Sequence, residues 1–325
     1  MSAHAAAGEP RRALNPIPGA AAMLHAMSTS IPPTWMVLIG IVSVQAGAGI
    51  AKNLFGVLPP SAVVWIRLLT SAIVLVAIAR PVLRGRSRAD WLTAAGFGLT
   101  LATMNWAIYE SFARIPLGIA VTIEFLGPLS VAIAGSRRKV DLLWVALAAG
   151  GVVLLGRGGG DVTFAGVAFA LLAGVAWAGY ILLSAATGQR FSGTSGLAIA
   201  SVVGVLLMTP AGVYQGGEAL LDPRLLLIGL AVGVLSSVVP YTLEMQALRR
   251  MPPRVFGILM SLEPAAAAMV GMLLLSEFLS VPQWIAIGCV VAASVGATRS
   301  ARPGPDAPAE GRAPDPGPGG PRDGT

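Results

Sequence analysis

Arg114-Ile115-Pro116, Leu126-Gly127-Pro128 and Gly135 punctuate one apolar stretch, and Arg250-Met251-Pro252, Leu262-Glu263-Pro264 and Gly271 punctuate a second. Each landmark in the first stretch recurs 136 residues later in the second. Matched spacing over that length marks an internal repeat. The surroundings say what kind. Of 325 residues 55% are hydrophobic and 11% charged, against about 25% charged in an ordinary soluble domain. The side chains present cannot cover a water-facing surface, so the bilayer is the expected solvent.

A membrane helix takes roughly 20 apolar residues. Breaking the hydropathy at charges and at Gly or Pro gives ten candidate spans: 35–52, 61–79, 91–112, 117–135, 141–156, 162–186, 195–214, 225–246, 255–276 and 281–298. The positive-inside rule tests them, because successive loops must alternate sides. One side collects seventeen basic residues, among them Arg80, Arg84, Arg86, Arg88, Arg137, Arg138, Lys139, Arg249, Arg250 and Arg254. The other holds only Lys52, Arg114, Arg157 and Arg224, and Arg67 falls inside a span. Both termini are therefore expected in the cytoplasm. The same loop clusters account for the net charge of +7 and leave no basic face for nucleic acid.

With five spans per half, an odd number, the second copy enters the membrane upside down. The expected fold is all-α and integral to the membrane, with ten transmembrane helices in two inverted five-helix repeats, over 35–156 and 162–298. Residues 1–34 lack a compact signal-peptide pattern and are expected to be a cytoplasmic tail. Residues 299–325, rich in Pro, Gly and Asp, are expected to be a disordered cytoplasmic tail.

Inverted repeats are the build of secondary transporters, whose substrate binds near the midplane beside interrupted helices. Pro128 and Pro264 interrupt corresponding spans and deprive the carbonyls of Glu124 and Met260 of helical donors. Such carbonyls must face protein, water or ligand; kinks that serve only helix packing are the alternative.

Ionisable residues within spans are candidates for function. Arg67 and Glu124 lie six and seven residues into their spans from the same side, roughly 9–10 Å deep at 1.5 Å per residue. They either pair to fasten two helices, or Arg67 receives a carboxylate while Glu124 receives an ammonium or exchanges a proton. Glu263 stands one residue before its proline and Glu124 four before its own, so the two acids share nearly one face of equivalent helices. They are expected to look into one cavity. Asn105, Tyr109, Trp177 and Tyr180 are the polar and aromatic residues expected to complete the substrate site, with Trp106 and Tyr241 nearby. Glu110 and Glu244, each two residues from a span end, are expected to be solvated. Gly47, Gly49, Gly174 and Gly179 are expected to let helices pack closely.

Other chemistries are poorly served. The single cysteine, Cys289, forms no intramolecular disulfide, and both histidines, His4 and His25, precede the first span. No metal site or cofactor is expected. Gly158-Gly159-Gly160-Asp161 matches the Gly-x-Gly-Asp pattern of intramembrane aspartyl proteases, but it falls in a loop and no second aspartate lies well inside a span. A nucleotide-binding loop is absent from the sequence, so inward proton movement is the energy source left for an exporter.

Met104-Asn105-Trp106, Pro116-Leu117-Gly118-Ile119-Ala120-Val121, Glu124-Phe125, Gly127-Pro128-Leu129 and Ser136-Arg137-Arg138 form a nearly continuous block. It resembles the threonine/homoserine exporter branch of the drug/metabolite transporter (EamA-type) superfamily. Pro240-Tyr241, Leu243-Glu244-Met245, Phe256-Gly257, Glu263-Pro264 and Gly271-Met272 extend the likeness into the second half. The resemblance implies a ten-helix inner-membrane carrier that exports small neutral hydroxy amino acids against a proton gradient. Glu124 and Glu263 are the expected proton-coupling acids on physical grounds, since an acid that meets water and Arg67 in turn can bind and release a proton within one cycle. Lys52 and Arg67 also match. Ser276-Glu277, where a Gly-Glu pair is expected, and the charged Glu110 depart from the pattern. A carrier of the same fold for drugs or other small metabolites is the alternative.

Overall fold

The computed structural model describes residues 31–134, 139–157, 162–192 and 194–300. The expected tails, apart from 31–34 and 299–300, lie outside these residues, as do Arg137, Arg138 and the Gly158–Asp161 motif. The described chain is helical, without strands. Its α-helices are α1 (Pro33–Asn53), α2 (Pro60–Ala79), α3 (Arg88–Phe112), α4 (Leu117–Glu124), α5 (Leu126–Ala134), α6 (Lys139–Arg157), α7 (Phe164–Gly188), α8 (Ser195–Gly216), α9 (Pro223–Gly233), α10 (Val239–Leu248), α11 (Pro253–Met260), α12 (Glu263–Leu275) and α13 (Val281–Ser300).

Helix occurs at all ten expected segments. Among the described residues, eight helical runs are long and apolar enough to cross a membrane. The segment at α3 does not qualify, its apolar run diluted by Arg88, Asp90, Asn105 and Glu110. The apolar part of α6, Val140–Leu155, is short.

Three segments expected as single helices are broken. The chain passes from α4 to α5 at Phe125 and from α11 to α12 at Ser261-Leu262. In both cases the break lies just ahead of the proline, because a proline fits the first turn of a new helix, whose N–H groups have no helical partner anyway. The third break is a π turn, Val234–Val238, between α9 and α10.

Large apolar side chains such as Ile78, Leu142, Leu206 and Leu273 point outward, as expected where lipid is the solvent. Helices meet inside over small residues. A Cβ on Gly127 would lie 2.1 Å from the Gly174 carbonyl oxygen, and one on Gly118 would lie 2.6 Å from Ala268 Cα. The α4–α5 break thus rests directly on α7, where the Glu124 carbonyl freed by Pro128 faces Gly174. Gly47 admits Ser236 just as closely, and a Cβ on Gly49 or Gly179 would lie 3.1 Å from Val270 or Thr100. In the resulting bundle α3 packs on α7 and α8, α2 on α8 and α9, α1 on α10 and α12, α4 on α7 and α12, and α6 on α13.

Candidate functional site

These contacts form a cavity of about 230 Å³, lined by α1, α2, α3, α4, α7, the π turn, α10, α11 and α12. Six of the seven site residues expected from the sequence line it: Arg67, Asn105, Glu124, Trp177, Tyr180 and Glu263. The seventh, Tyr109, is fully buried behind Arg67 and serves as its support instead of its neighbour in the wall.

Arg67 is held on three sides. Its Nε donates to Ser237 Oγ at 3.4 Å, Nη1 to Tyr109 Oη at 3.3 Å and Nη2 to the Ser236 carbonyl at 3.1 Å. The guanidinium also sits 5.4 Å from the Tyr109 ring centre, within cation–π range. Among the described residues no carboxylate comes within ion-pair distance of it. The fastening pair with Glu124, one of the two sequence readings, is therefore not formed, and arginine and acid both face the cavity.

The Ser236 carbonyl is available for a local reason. In the π turn the Val239 N–H reaches back to the Val234 carbonyl, one residue further than in an α-helix. Pro240, next in the chain, has no N–H. The Leu235 carbonyl is left without a helical donor and the Ser236 carbonyl without its α-register donor, and side chains reach both: Ser43 Oγ donates to Leu235 O at 2.7 Å and Arg67 to Ser236 O.

The acids come from three helices. Glu124 ends α4 and Glu263 begins α12, and each is more than 90% buried. Glu263 Oε2 has no hydrogen-bond partner, nor do Gln45 Oε1 and Ser236 Oγ in the same wall. Glu244 corrects the sequence reading: it lines the cavity and would meet a Cβ on Gly40 of α1 at 3.6 Å, so α1 covers the helix end that was expected to be wet. Glu110 is likewise not simply solvated but pairs with Arg114 at 2.5 Å. Trp177 stands edge-on to Phe125 at 5.5 Å and Tyr180 packs on Phe97 at 4.9 Å, which fixes both rings. Asn105 donates its amide to the Leu101 carbonyl at 2.8 Å. Met260, expected only as the carbonyl that Pro264 frees, also lines the cavity, whereas Gln45 and Ser236 were missed. Of those two, Ser236 had a signal in the sequence, its place four residues before Pro240.

One side of the bundle is tied by Lys52, 2.6 Å from Glu277 and donating to the Ile115 carbonyl at 2.7 Å. Glu277 also accepts the N–H of Leu117, at the start of α4, at 2.8 Å. Ser276 just before it is left-handed, with φ 57°. Glycine is the residue that this cap favours, which explains why a Gly-Glu pair was the expectation; serine strains the cap by about 1 kcal/mol.

Lipid-length helices around a buried cavity carrying both charge signs define a membrane carrier. The chain belongs to the EamA-like transporter family, whose profile matches residues 164–299. It is 41% identical over 280 residues to the threonine/homoserine exporter RhtA of Escherichia coli (strain K12), covering 83% of this chain and 94% of that protein. To the exporter of the same name from Salmonella typhimurium (strain SL1344) it is 42% identical over 285 residues, covering 85% and 95%. A crystal structure at 20% identity superposes with a TM-score of 0.58, covering 82% of this chain and 97% of the other, and supports the fold alone. The chain is thus a multi-pass inner-membrane transporter and not an enzyme.

Proposed function

We propose that this chain exports threonine, homoserine and similar small neutral amino acids in exchange for protons. The observation that carries the reading is one arginine and three carboxylates, Arg67, Glu124, Glu244 and Glu263, in the wall of a single cavity. A zwitterion needs both signs, with its carboxylate on the guanidinium fork and its ammonium among the acids. The exporters of threonine and homoserine that this chain resembles over most of its length supply the cargo. Size agrees: about 230 Å³ is below the roughly 300–1,000 Å³ of pockets for drug-sized ligands. A cationic drug would also meet the fixed charge of Arg67.

Proton antiport follows from the charge balance. A bound zwitterion adds no net charge to three acids facing one arginine. Like charges in one cavity repel, and a proton taken up by an acid relieves the repulsion. Glu124 and Glu263, on α4 and α12 in contact, are the coupling pair.

The architecture is ten spans in two inverted repeats, 35–156 and 162–298, with both termini cytoplasmic. The packing supports it. The 136-residue offset exchanges α1 with α7, α2 with α8, α3 with α9–α10, and α4–α5 with α11–α12. Under that exchange the contact of α3 with α7 becomes that of α10 with α1, and α3 with α8 becomes α9 with α2. Bacteria that overproduce the chain are expected to hold less internal threonine and to grow in threonine concentrations that stop the parent strain. Unchanged internal threonine with altered drug resistance would favour the alternative cargo.

A further inference from the structure

We infer that Pro240 is a positioning residue for the substrate's carboxylate, acting through Arg67 by way of the π turn; this rests on the proposed carboxylate–Arg67 contact. A guanidinium has five N–H donors. Three are committed, one each from Nε, Nη1 and Nη2. One N–H remains on each terminal nitrogen, the pair that a carboxylate takes in a forked contact. The fork is aimed because its back edge is pinned, and one of the pins is the Ser236 carbonyl that Pro240 leaves open. A residue with an N–H at position 240 would compete for that carbonyl in the α register.

The repeat supplies an independent observation. Moved by 136 residues, Arg67 falls on Val203 and Pro240 falls back on Met104. The symmetry-related pair, Val203 and Met104, thus lacks both the arginine and the proline, and α3 runs unbroken through Met104. Arginine and proline occur together on one side of the cavity and are both replaced by apolar residues on the other. A proline that served only to kink its helix would have no need of this partner.

The test is Pro240→Ala in the full-length protein, reconstituted in vesicles, with threonine exchange as the readout. The threonine KM is expected to rise about tenfold, the size of one hydrogen bond to a charged group, with kcat unchanged. Inhibition by 1-aminopropan-2-ol, which is threonine without its carboxylate, is expected to be unaltered. Ser237→Ala, which removes the Nε acceptor and leaves the turn's backbone alone, is expected to give the same split and serves if Pro240→Ala does not fold. An unchanged threonine KM, or a KM and an amine inhibition constant that move together, would overturn the inference. A wild-type threonine KM in Arg67→Gln would instead overturn the carboxylate reading beneath it.

Discussion

Arg67→Gln is expected to raise the KM for threonine by about 100-fold, roughly 2.7 kcal/mol, while the protein still inserts. Losing one partner of a buried, hydrogen-bonded charge pair costs about 2–5 kcal/mol, and nothing else on the cavity wall replaces the fork: Lys52 pairs with Glu277 at the edge of the bundle. Glutamine can still donate to the Ser236 carbonyl, so the support is partly kept while the charge is lost. Arg67→Lys keeps the charge without the planar fork and is expected to fall between the two. Threonine exchange at wild-type affinity in Arg67→Gln would show that the carboxylate docks elsewhere.

The larger effect belongs to the acids. In Glu124→Gln, in Glu263→Gln or in both, proton-driven efflux is expected to disappear, while exchange of threonine for threonine across the membrane persists. Exchange needs only a cavity that binds and reorients, whereas net export needs a group that carries a proton back. Glutamine preserves shape and cannot ionise, so the two activities separate. Glu263 is the stronger candidate, because its Oε2 is buried without a hydrogen-bond partner and so makes no structural bond that glutamine would break. If the acids merely hold α4 and α12 in place, the variants lose thermal stability and the surviving molecules export at full coupling. Measuring protons moved per threonine on folded, purified variants distinguishes the two.

The helices were legible because lipid imposes a simple rule, a run of apolar residues long enough to span. The cavity was legible in part because ionisable groups in such runs stand out, and Arg67, Glu124 and Glu263 line one space as their depths and faces implied. What escaped depends on local register. A π turn shifts a helix by one residue and leaves no mark on hydropathy, so the role of Ser236 was visible only through the missing N–H of Pro240. Glu244 was misplaced because distance from a span end was taken as access to water, and Gly40 lets α1 close over it. Gln45 is a neutral residue in an apolar run, and its unpaired carbonyl oxygen becomes meaningful only once the cavity is seen. The tie among Lys52, Glu277 and Leu117 joins chain segments far apart in sequence, which spacing alone cannot pair.

The central claim is that an inward proton gradient drives threonine out through this cavity. The most direct measurement loads purified wild-type protein in vesicles with labelled threonine, acidifies the outside, and follows threonine and internal pH together. The account predicts threonine efflux that accelerates with the size of the gradient and is matched by proton entry in a fixed ratio, with no such flux in protein-free vesicles. Threonine efflux that ignores the gradient, or proton entry that threonine does not change, would contradict it.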